Sequence, residues 1–177
     1  NNTDALYWFG ALAKKLQKFD SAISLFSKII DLDSCHHAAI MQRGQTYAMK
    51  KQQQLAIIDF TKVLSLLPNS YEAFYSRGVA HSRETNFMAA IDDFSSAISL
   101  NREASDAYYN RALASKKLNN FDLAIEDYTR AIELKPDHFQ AFNNRGLVFR
   151  ELREFKKAIA DFEHCTMAKP DFADGYF

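Results

Sequence analysis

Residues that break secondary structure are scarce in this chain, with three prolines and five glycines among 177 residues. Few turns can be punctuated by them, and long irregular loops are not expected. Cysteine is scarcer still: Cys35 and Cys165 stand alone. Two cysteines build no disulfide framework, so a reducing, cytoplasmic compartment is the expectation. Net charge is missing as well, with 22 basic residues against 22 acidic ones, spread along the chain rather than gathered in blocks. That balance argues against nucleic acid or an anionic membrane surface as a partner. No apolar run approaches the roughly 18 residues of a membrane span. The opening stretch NNTDALYW lacks the basic region and apolar core of a secretory leader.

The few breakers that exist are regularly placed. Gly10, Gly44 and Gly78 lie 34 residues apart, Pro136 and Pro170 lie 34 apart, and Pro68 lies 68 before Pro136. A fixed period of this size signals a repeat array. Five repeats run in register without insertion, over 3–36, 37–70, 71–104, 105–138 and 139–172. With positions numbered 1 to 34 in each, position 20 is Ala22, Ala56, Ala90, Ala124 and Ala158. Position 21 is isoleucine five times, and position 24 is Phe26, Phe60, Phe94, Tyr128 and Phe162. Apolar residues at 4, 8 and 11, then at 17, 20, 21, 24, 27 and 28, have the spacing of two amphipathic helices. The first, helix A, is predicted over about positions 2–14, and the second, helix B, over about 18–31.

This pattern resembles the tetratricopeptide repeat (TPR) family: a large residue at 4, Gly or Ala at 8, an aromatic at 11, Ala at 20, an aromatic at 24 and Pro at 32. The stretches AYYNRALASKKLNNFDLAIEDYTRAIELKP and AFNNRGLVFRELREFKKAIADFEHCTMAKP carry it most clearly. His81 and Ser115 depart from it at position 11, and Ser34 and Arg102 at position 32. The resemblance implies an all-α fold, a right-handed α-solenoid of five helix-turn-helix units. Residues 173–177 would begin a truncated sixth unit or a cap helix.

Two features need a physical reason. Glycine inside a helix costs about 1 kcal/mol relative to alanine, yet position 8 holds Gly10, Gly44, Gly78 and Gly146, with Ala112 in the fourth repeat. Small residues at 8 and 20 are expected to let the two helices of a repeat approach. Position 7, usually leucine in the family, is Arg43, Arg77, Arg111 and Arg145, and position 23 in the same repeats is Asp59, Asp93, Asp127 and Asp161. The first repeat has Phe9 and Leu25 instead. Because both positions switch together, 7 and 23 are expected to meet across the helix pair in a bidentate carboxylate–guanidinium contact.

Stacked A helices in TPR proteins line a concave groove that takes a peptide or helix of a partner. The resemblance places positions 2, 5, 6, 9, 12 and 13 on that face. Position 6 is Trp8, Gln42, Ser76, Asn110 and Asn144, and its amides suit an extended backbone, as a partial asparagine ladder. Position 5 offers Tyr7, Tyr75 and Tyr109, which suit an interface or, equally, the helix seam. Lys14, Lys15, Arg83, Lys116, Lys117 and Arg150 at 12 and 13 give one basic edge, suited to acidic side chains, although the helix dipole also favours bases there. The carboxylate clamp that holds Hsp70 or Hsp90 tails needs lysine at position 5 or 2, which no repeat has, so those tails are not expected as ligands.

Catalysis finds no constellation. His36, His37, His81, His138 and His164 share no repeat position apart from His36 and His138 at the repeat boundary, and the adjacent residues Cys35, His36 and His37 cannot converge on one tetrahedral ion. No enzymatic activity, metal or cofactor is expected, and Cys165 is expected to be a packed thiol. The reading is a protein-interaction scaffold that binds protein or peptide. A segment of a larger assembly, packed by its edges or convex face, is the alternative, and an RNA-binding helical repeat a weaker one. An uncapped last B helix is expected to expose Ile159 and Phe162 and to favour self-association.

Overall fold

A computed structural model describes residues 2–168. Among the described residues the chain forms ten α-helices and no strand. They are α1 (Asn2–Lys15), α2 (Phe19–Leu32), α3 (His37–Met49), α4 (Gln53–Leu66), α5 (Tyr71–Arg83), α6 (Phe87–Leu100), α7 (Ser105–Lys117), α8 (Phe121–Leu134), α9 (Phe139–Glu151) and α10 (Phe155–Ala168). The chain divides after Leu100 into two compact bodies, the first holding α1–α6 and the second α7–α10. In the first, α1 packs on α2, α3 on α4 and α5 on α6, while α2 also packs on α3 and α4 on α5. In the second, α7 packs on α8, α9 on α10, and α8 on α9. Successive pairs of this kind make an all-α solenoid fold.

Each helix starts and stops about one residue earlier than the periodicity predicts. The A-to-B turn is the reason at one end. Position 15 of every repeat, at Gln17, Lys51, Thr85, Asn119 and Arg153, adopts a left-handed conformation with φ of 57° to 62°. This residue lets the next N–H fold back onto the helix: Asn86 N donates to His81 O at 2.9 Å and Thr85 N to Ser82 O at 3.1 Å. The same two bonds close the other four turns, which satisfies carbonyls that a helix end would leave open. At the start of α3 and α5, His36 Nδ1 and Ser70 Oγ accept from the N–H of Ala39 and Ala73, as N-caps do.

The core explains the glycines, and corrects part of the expectation. Phe26, Phe60, Phe94 and Tyr128 at position 24 are fully buried, as is alanine at position 20 of the first four repeats. A Cβ on Gly44 would stand 2.8 Å from Cε1 of Phe60, and one on Gly10 2.7 Å from Cε1 of Phe26. Gly78 and Gly146 face Phe94 and Phe162 in the same way, at 2.8 Å. The constraint at position 8 is therefore the aromatic ring at 24 rather than the alanine at 20. Burying such a ring contributes about 1.5–3 kcal/mol, which exceeds the helix cost of glycine. Ala112, fully buried in the repeat that carries Tyr128, shows that one methyl can be housed there.

The arginines behave as the joint switch predicts, and do more. Arg43 donates Nε to Asp59 Oδ2 at 2.9 Å and Nη2 to Oδ1 at 2.8 Å. Arg77–Asp93, Arg111–Asp127 and Arg145–Asp161 repeat this geometry at 2.7–2.9 Å. The carboxylates are buried, while the guanidinium groups keep a little exposure. Hydrogen bonding to Asp59 and Asp127 holds the Arg43 and Arg111 guanidinium groups above their ordinary range. Burial pushes the Asp127 carboxyl up, and the guanidinium draws it only part of the way back. The third donor reaches the preceding pair: Nη1 of Arg43, Arg77 and Arg145 donates to Ser27 Oγ, Thr61 Oγ1 and Thr129 Oγ1 at 3.0, 3.0 and 2.8 Å. Each of these arginines thus joins its own A helix to two B helices. Phe9, which stands in place of arginine in the first repeat, is 62% exposed, so apolar packing does not substitute for the ion pair there. Ile159 is exposed on α10 as expected, whereas Phe162 is half-buried beneath Gly146. The expected start of a sixth unit at 173–177 lies outside the described residues.

Candidate functional site

The A-helix face of the first body carries a chain of polar contacts. Lys14 Nζ donates to Gln42 Oε1 at 2.5 Å and to Gln45 Oε1 at 2.8 Å, and Gln45 Nε2 donates to Glu72 Oε1 at 2.6 Å. These residues hold positions 12, 6, 9 and 2, so side chains predicted to meet a partner tie α1, α3 and α5 to one another. Burial lowers the Lys14 ammonium below the ordinary lysine range, and Glu72 partly restores it. Beside this chain a hollow of about 180 Å³ is lined by Tyr7, Met41, Gln42, Ser70 and Glu72. Trp8 is 70% exposed and meets Tyr7 edge-on, with ring centres 5.7 Å apart. Ser76 is half-buried on α5. Arg83 Nη1 is spent on Ala48 O at 3.4 Å.

Position 5 tyrosines serve the helix seam. Tyr7 packs on Phe26, Tyr75 on Phe94 and Tyr109 on Tyr128, with ring centres 5.9, 5.9 and 6.0 Å apart. Each therefore lies on the position 24 ring of its own repeat.

In the second body, Asn144 Nδ2 donates to Tyr109 Oη at 3.2 Å and to Gln140 O at 2.9 Å. Asn110 Nδ2 donates to Asp106 O at 2.8 Å. The position 6 asparagines are thus braced against the carbonyl one turn back, which fixes their amide planes. Burial raises the Tyr109 phenol, and the bond from Asn144 lowers it in part. A hollow of about 410 Å³ opens between the A helices α7 and α9, lined by Leu113, Lys116, Lys117, Asn119, Asn144 and Glu151. Leu113 and Glu151 stand at positions 9 and 13, which the sequence placed on this face, whereas Asn119 at position 15 was not expected there. Asn119 belongs to a turn that no glycine announces, and Glu151 is a lone acid in a basic stripe.

Among the described residues no group of three His, Cys, Asp or Glu side chains could hold a metal ion, and no helix is long and apolar enough to cross a membrane. Cys165 is buried, which raises its thiol, and Cys35 is exposed.

Models of the tetratricopeptide repeat match residues 4–33, 105–138 and 139–172, more than half of the chain. Among curated proteins no match is found. Among solved structures, a crystal structure of MamA protein is similar at 27% identity and a TM-score of 0.90, covering 99% of this chain and 96% of that one. A second MamA crystal structure is 28% identical with a TM-score of 0.89, covering 93% and 96%. YrrB, described as a TPR protein with an unusual peptide-binding site, shares the fold at 22% identity and a TM-score of 0.84, covering 97% of this chain and 89% of that one. On the periodicity, the helix pairs and these matches together, the chain belongs to the tetratricopeptide repeat family.

Proposed function

We propose that this protein is an interaction scaffold whose A-helix faces take an extended segment of a partner protein. The observation that carries the reading is that each body has a hollow on its own A-helix face, the first lined by side chains from positions 2, 5 and 6 and the second by side chains from positions 6, 9, 12 and 13. A fixed amide suits the backbone of an extended chain: with both Nδ2 hydrogens of Asn144 spent on Tyr109 and Gln140, its Oδ1 is held as an acceptor for a backbone N–H. Asn110 and Asn144 are the members we assign to backbone contacts, with Tyr7, Trp8, Gln42, Tyr75, Ser76 and Tyr109 along the same face. The peptide-binding site named for YrrB, which shares this fold, supports the same use.

A second reading has its own observation. Phe9 and Leu12 on α1, Leu16 just after it, and Phe155 and Ile159 on α10, are more than half exposed. Apolar surface of this kind marks association sites, as for a segment packed by its edges into a larger assembly.

Site-specific photo-crosslinking separates the two. A photoreactive residue at Ser76 or Asn144 tests the A-helix face, and one at Glu126, exposed on a B helix, serves as control. The groove reading expects partner cross-links from 76 and from 144 and none from 126. Cross-links confined to 126, or to further photoreactive residues placed at Leu12 and Ile159, would establish the edge-packed assembly instead.

A further inference from the structure

We propose that the hollow between α7 and α9 takes the side-chain carboxylate of an acidic partner segment, with Lys116 and Lys117 as its ligands and Arg150 as a third charge. The inference rests on the groove reading and names the chemistry of what lies there.

Three cations gather here against one acid. Lys116 and Lys117 line the hollow with Glu151. Lys116 also feels Arg150 and Lys117 as repulsive neighbours and Glu151 as an attractive one. Its ammonium is drawn below the ordinary lysine range, first by burial. Among the described residues these three cationic side chains end on no hydrogen-bond acceptor and no ion pair. The first body differs: Lys14 is spent on Gln42 and Gln45, and Lys50 is paired with Asp20.

Helix chemistry alone does not account for the cluster. Bases in a last turn do complement the helix dipole. But the closing carbonyls of α7 are already taken, with Asn119 N on Lys116 O at 3.0 Å and Asn120 N on Ser115 O at 2.9 Å. The ammonium groups are left facing the hollow. Leu113 gives it an apolar wall, and Asn144, fixed by Tyr109 and Gln140, stands at its edge. At about 410 Å³ the space has ample room for a carboxylate side chain with its hydrating waters. Lys116 is half-buried, and a partly desolvated ammonium gains more from a bound anion than an exposed one does, while Lys117 and Arg150 stand exposed beside it.

A carboxylate could come from Asp or Glu within a segment or from a chain terminus. A random dodecapeptide library displayed as fusions to a phage coat protein offers side-chain carboxylates only. Panned on the intact protein, it should return peptides enriched in Asp and Glu, and these should bind K116Q/K117Q about tenfold more weakly. The double variant should melt within about 2 °C of the wild type, since changes at surface side chains shift stability little. Peptides without acidic enrichment, or equal binding to both proteins, would overturn the carboxylate site and leave the groove reading standing. No selected peptide at all would overturn both. Selected sequences are then made as C-terminal amides, with and without Asp and Glu changed to Asn and Gln. Retained affinity after that change, or affinity regained only with a free C-terminal acid, would also overturn the assignment.

Discussion

Arg145 touches four groups at once: both oxygens of Asp161, the hydroxyl of Thr129, and the rings of Phe142 and Phe149 at 5.7 and 5.8 Å from its guanidinium carbon. One side chain therefore sets the spacing of three helices. Its worth lies more in register than in stability, because burying both charges costs nearly what their attraction returns. Stranding one charge is different. We expect Asp127→Asn to destabilise by about 2–4 kcal/mol, since it leaves Arg111 facing a buried neutral group. Arg111→Met with Asp127→Leu should cost less than the sum of the two single changes, measured by denaturant titration in a double-mutant cycle. Methionine is the better partner than phenylalanine here, because Phe9 at the equivalent position stands exposed. A second residue-scale effect is titratable. His138 is buried, and desolvation, with Lys135 nearby, lowers its affinity for a proton. Burial likewise lowers His81, and Asp93 offsets this only in part. A histidine depressed in the folded state binds more protons when unfolded, so its stability contribution is present above the unfolded value near 6.5 and is lost as pH falls. The melting temperature should fall between about pH 7 and 5, and His138→Gln should flatten that slope. An unchanged slope would show that His138 titrates normally.

At the scale of elements, the turns and the glycines carry the testable energetics. Position 15 is left-handed in all five repeats, yet only Asn119 is a residue type that visits this region readily. Thr85, β-branched at φ 60°, is the most strained of the five. Thr85→Gly should stabilise by about 1 kcal/mol, and Asn119→Gly should be close to neutral, as thermal melts would show. Gly78→Ala sets a helix gain of about 1 kcal/mol against a methyl 2.8 Å from the Phe94 ring. Overpacking of this kind costs about 1–3 kcal/mol, so the variant should be less stable by up to about 2 kcal/mol. What was legible in the sequence follows from this. Periodicity placed every helix to within a residue or two, because a 34-residue repeat states its apolar pattern five times. The Arg–Asp contact was legible because Phe9 and Leu25 changed together. The left-handed turn was not, since its signal is glycine and no repeat has glycine at 15. The ring over position 8 was not legible either, because a sequence gives spacing along a helix and not which side chain fills the gap between two.

For the whole molecule the question is what the A-helix face meets. Here legibility stops at the side chain. Gln42 reads as a partner-facing amide, but in the structure it accepts from Lys14, which also engages its neighbour Gln45, itself bonded to Glu72. Competition among neighbours for one donor decides this, and no repeat pattern records it. The tyrosines at position 5 are similarly committed to the rings beneath them. Asn110 and Asn144 remain the amides best placed to serve a bound backbone, each braced by its own helix. The most direct measurement is a calorimetric titration of a library-selected peptide into the wild type and into Asn110→Ala with Asn144→Ala. The account predicts about tenfold weaker binding by the double variant, as for loss of one or two hydrogen bonds, with a melting temperature within about 2 °C of the wild type. Equal affinity for the two proteins would contradict it.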